Sequence, residues 1–148
     1  MCWSVEASVA VAVFGTAATG VAKARGQPFA IWGTLAYFTF MELLQVAGYQ
    51  VVDDCGTASN SGVTLVSYLH IVFQPILINA FAMELVPEPV KLRVRRWVLG
   101  LSAGSACVML AQLIQWPALG DCAAGSPLCA ADLCTVSGNW HIAWNIPY

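Results

Sequence analysis

Four long apolar segments, separated by short polar ones, make up most of the chain. A helix needs roughly 20 apolar residues to cross the hydrocarbon layer of a membrane. The segments between them, such as DDCGTASNSG, are rich in turn formers or charge, as loops are. The pattern therefore predicts an all-α, polytopic transmembrane helical bundle in a single membrane domain, residues 1–148. The four predicted spans are about 5–22, 29–52, 63–85 and 97–116.

Composition agrees with a membrane protein. Hydrophobic residues make up 59% of the chain and charged residues only 9%, whereas charged residues are about a quarter of a soluble domain. The net charge of −2 and the absence of a basic patch outside two short loops exclude nucleic acid as a partner.

The charges also predict an orientation. All six basic residues fall in the first and third loops, and the opposite side has no Lys or Arg. By the positive-inside rule these two loops are cytoplasmic and the N-terminus is outside. The basic residues are Lys23, Arg25, Lys91, Arg93, Arg95 and Arg96.

Five of the six cysteines fall on the predicted outer side, with Cys2 beside the N-terminus. Disulfides persist in oxidising compartments such as a bacterial periplasm, so we expect two disulfides there, with zinc or free thiols as the alternatives. The candidates are Cys55, Cys122, Cys129 and Cys134. Residues 117–148 are therefore predicted to form an outer, disulfide-containing segment. Its end, GNWHIAWNIPY, carries Trp and Tyr residues, which favour the membrane–water boundary. We interpret it either as an interfacial segment that returns to the bilayer or as the start of a fifth span.

Polar residues lie along one face of each of two neighbouring spans. One face carries Glu42, Gln45 and Tyr49, and the other carries Ser67, His70 and Gln74. Counted inward from the outer ends of the two helices at about 1.5 Å per residue, Gln45 and His70 are predicted to lie at similar depth. Glu42 and Gln74 would lie at the next level inward. An imidazole facing lipid would have no partner. We therefore predict that His70 faces the second helix, with a nitrogen within hydrogen-bond reach of Glu42 or Gln45, directly or through one water or metal.

Three interpretations of this polar cluster stay open. It is a hydrogen-bond cluster that locks two helices, a metal or haem site, or a proton or substrate path. Ionisable residues inside a membrane are functional candidates by default. The candidate ligands of a metal or haem site are Glu6, Glu42, His70 and His141.

Small residues recur at helical spacing in two spans. Such stripes let helices approach closely in lipid, so they pack either against helices of the same chain or against another protein. The first stripe is Ser8, Ala12, Thr16 and Gly20, and the second is the pair Gly100 and Gly104.

Several motifs resemble a family of uncharacterised bacterial integral membrane proteins, a domain of unknown function. They are MCWSVEAS, FMELLQVAGY, YLHIVFQPILINAFAMELVP and WHIAWNIPY. The resemblance implies a multi-pass protein of a bacterial inner membrane with a periplasmic N-terminus. It also implies that the native chain continues past Tyr148 with further spans. It implies no activity.

The sequence has no HExxH, GxSxG, P-loop or GxGxxG signature that would indicate a known chemistry. Our first hypothesis is therefore a structural or accessory subunit of a larger energy-converting or transport assembly. Its partners would be membrane lipids and other membrane-protein subunits. The alternative is a membrane-embedded metal- or haem-binding enzyme that uses Glu42 and His70.

Overall fold

The computed structural model describes residues 4–114, 132–138 and 141–146, which form four helices and a pair of strands. The helices are α1 (Val5–Ala24), α2 (Phe29–Val51), α3 (Ala58–Glu84) and α4 (Glu88–Ala111). The strands are β1 (Cys134–Ser137) and β2 (Ile142–Asn145). The first three helices are long and apolar enough to cross a membrane. The mostly helical fold is confirmed, and the strand pair is an addition to the predicted all-α class.

Local signals explain where the helices begin and end. Ser4 caps α1 by accepting a hydrogen bond from the N–H of Ala7, which satisfies one of the free donors at a helix start. Gly26, with φ of 68°, adopts the left-handed conformation after α1, which glycine tolerates without strain. Pro28 directly precedes α2.

Two helices begin earlier than the apolar pattern predicts. Thr57 caps α3 by accepting from the N–H of Asn60, so the polar stretch before residue 63 forms the first turns of the helix instead of a loop. Helix α4 begins at Glu88, within the predicted third loop. Proline is favoured in a first helical turn, and Pro89 lies there. The predicted fourth span, 97–116, therefore begins inside α4, and its residues 115–116 lie outside the described residues.

The helices pack in chain order. Helix α1 packs on α2, α2 on α3 and α3 on α4, and no other helix pair within the described ranges shares an extensive contact. The arrangement is an open row with α1 and α4 at its two ends. The buried residues Tyr68 and Val72 of α3 pack against Ala106 of α4.

The strands form an antiparallel hairpin over one end of the row. Cys134 pairs with Asn145 and Ser137 with Ile142, and the hairpin contacts α3 and α2. We call this the hairpin end. The opposite end holds the α1–α2 and α3–α4 turns. All six basic residues lie in or near these turns, at the end of α1, at Arg25 and in the first part of α4, and we call this end the basic end.

Candidate functional site

His70 and Tyr37 form a reciprocal contact between α3 and α2. The Nε2 atom of His70 lies 2.8 Å from the backbone oxygen of Tyr37. A carbonyl only accepts, so Nε2 carries the hydrogen of this bond. In return, the Tyr37 hydroxyl donates to the backbone oxygen of His70. Each side chain therefore holds the main chain of the other helix.

Aromatic rings cover the imidazole of His70. The centroid of the Tyr37 ring lies 3.7 Å from the imidazole centroid, and the Phe40 ring stacks at 5.9 Å with an interplanar angle of 13°. His70 is only 4% exposed. Its Nδ1 atom is buried and has no hydrogen-bond partner among the described residues, so one lone pair lies unmatched at this helix interface.

The prediction that His70 faces the second helix is confirmed. No direct bond joins His70 to Glu42 or Gln45 within the described residues, and a bridge through one water or metal stays a prediction. The imidazole bonds to the backbone of Tyr37, and Gln45 takes a different partner on α1. The reason is register. Helix α3 begins at Ala58 and not near residue 63, so His70 lies deeper along α2 than the sequence suggested.

Gln45 belongs to the α1–α2 interface. The Ser8 hydroxyl donates to Gln45 Oε1 at 3.1 Å, and both residues are buried. Glu42 lies one turn away from Gln45 on α2, and its Oε2 atom is buried without a hydrogen-bond partner within the described chain. The structure therefore brings Ser8 and Gln45 together at one interface, and Tyr37 and His70 together at the other.

The remaining predicted cluster residues lie on the same two helices. Ser67, on α3, is buried at 2% exposure. Gln74 and Tyr49 are half-buried. Tyr49 lies between Gln45 and the C-terminal end of α2, close to the hairpin end.

The four candidate metal ligands are not brought together. Glu6 is exposed in the first turn of α1, and His141 is exposed in the hairpin turn, where its Nδ1 contacts the Ile142 carbonyl. In the part of the chain that the structure describes, no group of three or more His, Cys, Asp or Glu side chains could hold a metal ion.

The densest polar network lies at the hairpin end and was not predicted. Asn60 is fully buried and donates to the carbonyls of Val51, at 2.5 Å, and Thr135, at 3.0 Å. Its Oδ1 accepts from the N–H of Thr135 and from the Thr64 hydroxyl. One amide side chain thus joins α2, α3 and β1. The spacing of Thr57 and Asn60, typical of a capped helix start, is the sequence signal that could have indicated it.

A disulfide and a carboxylate fasten the same hairpin. Cys55 and Cys134 form a disulfide with their Cα atoms 5.3 Å apart, which confirms one pair among the predicted candidates. Cys122 and Cys129 lie outside the described residues, and their pairing stays a prediction. Asp53 accepts from the backbone N–H of Ser137 at 2.7 Å and from its hydroxyl. The bond from the hydroxyl, and to a smaller extent the bond from the N–H, hold the pKa of Asp53 below its usual value.

The small-residue stripes are only partly used inside the chain. Ser8 and Ala12 are buried against α2, and the two helices are in close contact at Gly15, where a Cβ would lie 2.3 Å from Thr39 Oγ1. A Cβ at Gly20, Gly100 or Gly104 would meet no atom of the described part of the chain within 4 Å. Thr16 instead lines an apolar groove of about 440 Å³ between α1 and α2.

The chain matches the family of unknown function DUF5765 over residues 6–148. The chain belongs to this family. The match covers all four helices and the hairpin, except for the first residue of α1. No curated protein and no solved structure matches the chain. Membership in DUF5765 thus supports the resemblance found in the sequence motifs and brings no activity with it.

Proposed function

We propose that this DUF5765 protein is a structural or accessory subunit of a larger membrane assembly, energy-converting or transporting. The observation that carries the proposal is the open row of helices. Among the described helices, each packs extensively only on the helices next to it in the chain, and only Ser8 and Ala12 are buried among the 20 residues of α1. A bundle that functions alone closes around a shared core, whereas an open row leaves helix faces for other subunits.

The outer side of α1 is the best-defined of these faces. Phe14 and Val21, seven residues apart, are 76% and 51% exposed. They lie away from the α2 contact made by Ser8 and Gly15. Apolar exposure alone fits lipid equally well, so the assembly role needs a direct experiment at this face.

The orientation proposed is a bacterial inner membrane with the hairpin end in the periplasm. The disulfide and the basic residues lie at opposite ends of the helices. That separation is expected when one end meets an oxidising compartment and the other the cytoplasm. A cysteine introduced at the exposed Ser59 should react with an impermeant maleimide in intact cells, and one at Gln27 should not. The reverse labelling would overturn the orientation.

Site-specific photocrosslinking in native membranes tests the assembly role. A photoreactive amino acid at Phe14 should crosslink to one defined polypeptide at a fixed ratio. The matched control is the same amino acid at Val72, which is 0% exposed and should give only adducts within the chain. If Phe14 crosslinks only to lipid and the gently extracted protein has the mass of a single chain, the accessory role is wrong.

A second candidate function, metal or haem binding, is favoured by one observation, the unmatched Nδ1 of His70. A neutral imidazole nitrogen is a common metal ligand. The measurement is metal analysis and a visible absorption spectrum of the purified chain. A stoichiometric metal or a Soret band that is lost in His70→Leu would favour this function and overturn the accessory role.

A further inference from the structure

Three arginines at the basic end of α4 have no counter-ion among the residues that the structure describes. The Nζ atom of Lys91 lies 3.0 Å from a carboxylate oxygen of Glu84 and 3.9 Å from one of Glu88. Lys91 therefore forms ion pairs with both acidic side chains beside the α3–α4 turn. Arg93, Arg95 and Arg96 are exposed and form no ion pair with any residue in the described ranges. This end of α4 therefore presents unneutralised guanidinium groups.

Two of these arginines share a helix face with a tryptophan and a shallow trough. Arg93, Arg96, Trp97, Gly100 and Gly104 follow the spacing i, i+3, i+4, i+7 and i+11, which is one side of a helix. All five are exposed. Trp97 is 75% exposed, and tryptophan favours the boundary between membrane and water. The glycines that follow leave the helix surface without side chains, and no atom of the described residues lies within 4 Å of either Cβ position.

We propose that this face of α4 binds an anionic phospholipid. The phosphate of the head group would lie on Arg93 and Arg96, whose planar guanidinium groups match phosphate oxygens in pairs. Trp97 would lie at the level of the glycerol ester, and an acyl chain would run along the trough at Gly100 and Gly104. The inference rests on the membrane location proposed above and not on the assembly role.

Charge favours this occupant over a second copy of the chain. Two copies inserted in the same orientation and packed through Gly100 and Gly104 would bring both pairs of Arg93 and Arg96 to the same end of the contact. Like charges at close range repel, and no acidic residue of α4 follows Glu88 to offset them. An anionic lipid neutralises the same groups.

Lipid titration of the purified full-length chain tests the proposal. In a neutral detergent, phosphatidylglycerol should raise the melting temperature in a saturable manner, whereas phosphatidylcholine and inorganic phosphate at equal concentration should not. R93Q/R96Q should bind phosphatidylglycerol about 30-fold more weakly, the effect expected for two basic residues at a membrane surface. The matched control, K23Q/R25Q, removes the same charge at the α1–α2 turn and should bind as the wild type does.

A second variant tests the trough without changing charge. G100L/G104L fills open space, so it should fold normally and weaken lipid binding.

Cys107, exposed on the same face, tests the competing occupant, a second copy of the chain. A bifunctional maleimide should give no dimer that depends on Cys107. A dimer lost in Cys107→Ser would overturn the proposal. Equal lipid binding by R93Q/R96Q and wild type, or an equal response to inorganic phosphate, would also overturn it. Loss of the protein from carbonate-washed membranes would instead contradict the membrane location itself.

Discussion

Tyr37 and His70 each hold the other's main chain across the α2–α3 interface. His70 Nε2 donates to the Tyr37 carbonyl at 2.8 Å, and the Tyr37 hydroxyl donates to the His70 carbonyl. Because both acceptors are backbone oxygens, the contact fixes the relative position of two helix backbones. Neither acceptor is an ionisable group, which distinguishes this contact from an ion pair.

The first prediction is that Tyr37 and His70 are coupled, and that Glu42 and His70 are not. His70→Leu and Tyr37→Phe should each lower the free energy of unfolding by about 0.6–2 kcal/mol, the range for hydrogen bonds between membrane helices. The double variant should lose less than the sum, because the two bonds share one contact. The measurement is reversible unfolding in mixed micelles.

The control cycle is Glu42→Leu with His70→Leu. These effects should add within about 0.5 kcal/mol, as they do for residues without a shared contact. Recovery of stability in this double variant would instead support the pairing suggested by sequence, and would contradict the assignment of His70 to Tyr37.

The sequence predicted the face of His70 but not its partner, for a physical reason. Helical periodicity determines which side of α3 carries Ser67, His70 and Gln74, and no tertiary information is needed. The depth of His70 depends on where α3 begins, and the cap at Thr57 moves that point to Ala58. Hydropathy cannot detect this start, because the first turns of α3 are polar.

The hairpin was missed because its stability is not local. An isolated two-stranded hairpin is marginally stable, so four-residue strands give a weak pattern in the sequence. Here β1 is held by Asn60, Asp53 and the disulfide to Cys55. These contacts join residues more than 70 positions apart, and no short-range rule predicts them.

The second prediction concerns Asn60. Asn60→Ala should lower the free energy of unfolding by about 2–4 kcal/mol, because buried groups of Val51 and Thr135 would lose their partners. Asn60→Asp should be at least as harmful, since it places acceptor oxygens against two carbonyls. Ser59→Ala, at the exposed neighbouring position, is the control and should change stability by no more than about 0.5 kcal/mol. A loss in Asn60→Ala no larger than in the control would show that the network does not hold the hairpin.

The third prediction is that the hairpin loosens in acid. Ser137 holds the pKa of Asp53 below its usual value, so the folded state binds fewer protons than the unfolded state. The resulting stabilisation is fully present above the unperturbed aspartate pKa of 3.8. It is lost as the pH falls through the lower pKa of the folded protein.

Amide exchange at Ser137 measures this effect between about pH 3 and 6, after correction for the intrinsic exchange rate. Protection should fall at the acid end in the wild type. Asp53→Asn removes the titrating group and should show lower protection with little dependence on pH. A steep acid loss that persists in Asp53→Asn would assign the effect to another group.

The last prediction separates two glycines of α1 that look alike in sequence. A Cβ at Gly15 would lie 2.3 Å from Thr39 Oγ1, whereas a Cβ at Gly20 would meet none of the described atoms within 4 Å. Gly15→Ala should therefore push α1 from α2 and lower the free energy of unfolding by about 1–3 kcal/mol, the usual cost of overpacking. Gly20→Ala should be neutral or stabilise α1 by up to about 1 kcal/mol, because alanine has a higher helix propensity than glycine.

Thr39→Ala in the Gly15→Ala background removes the clashing hydroxyl and should restore most of the lost stability. Equal effects of the two glycine substitutions, or no rescue by Thr39→Ala, would mean that the α1–α2 contact is not set by Gly15.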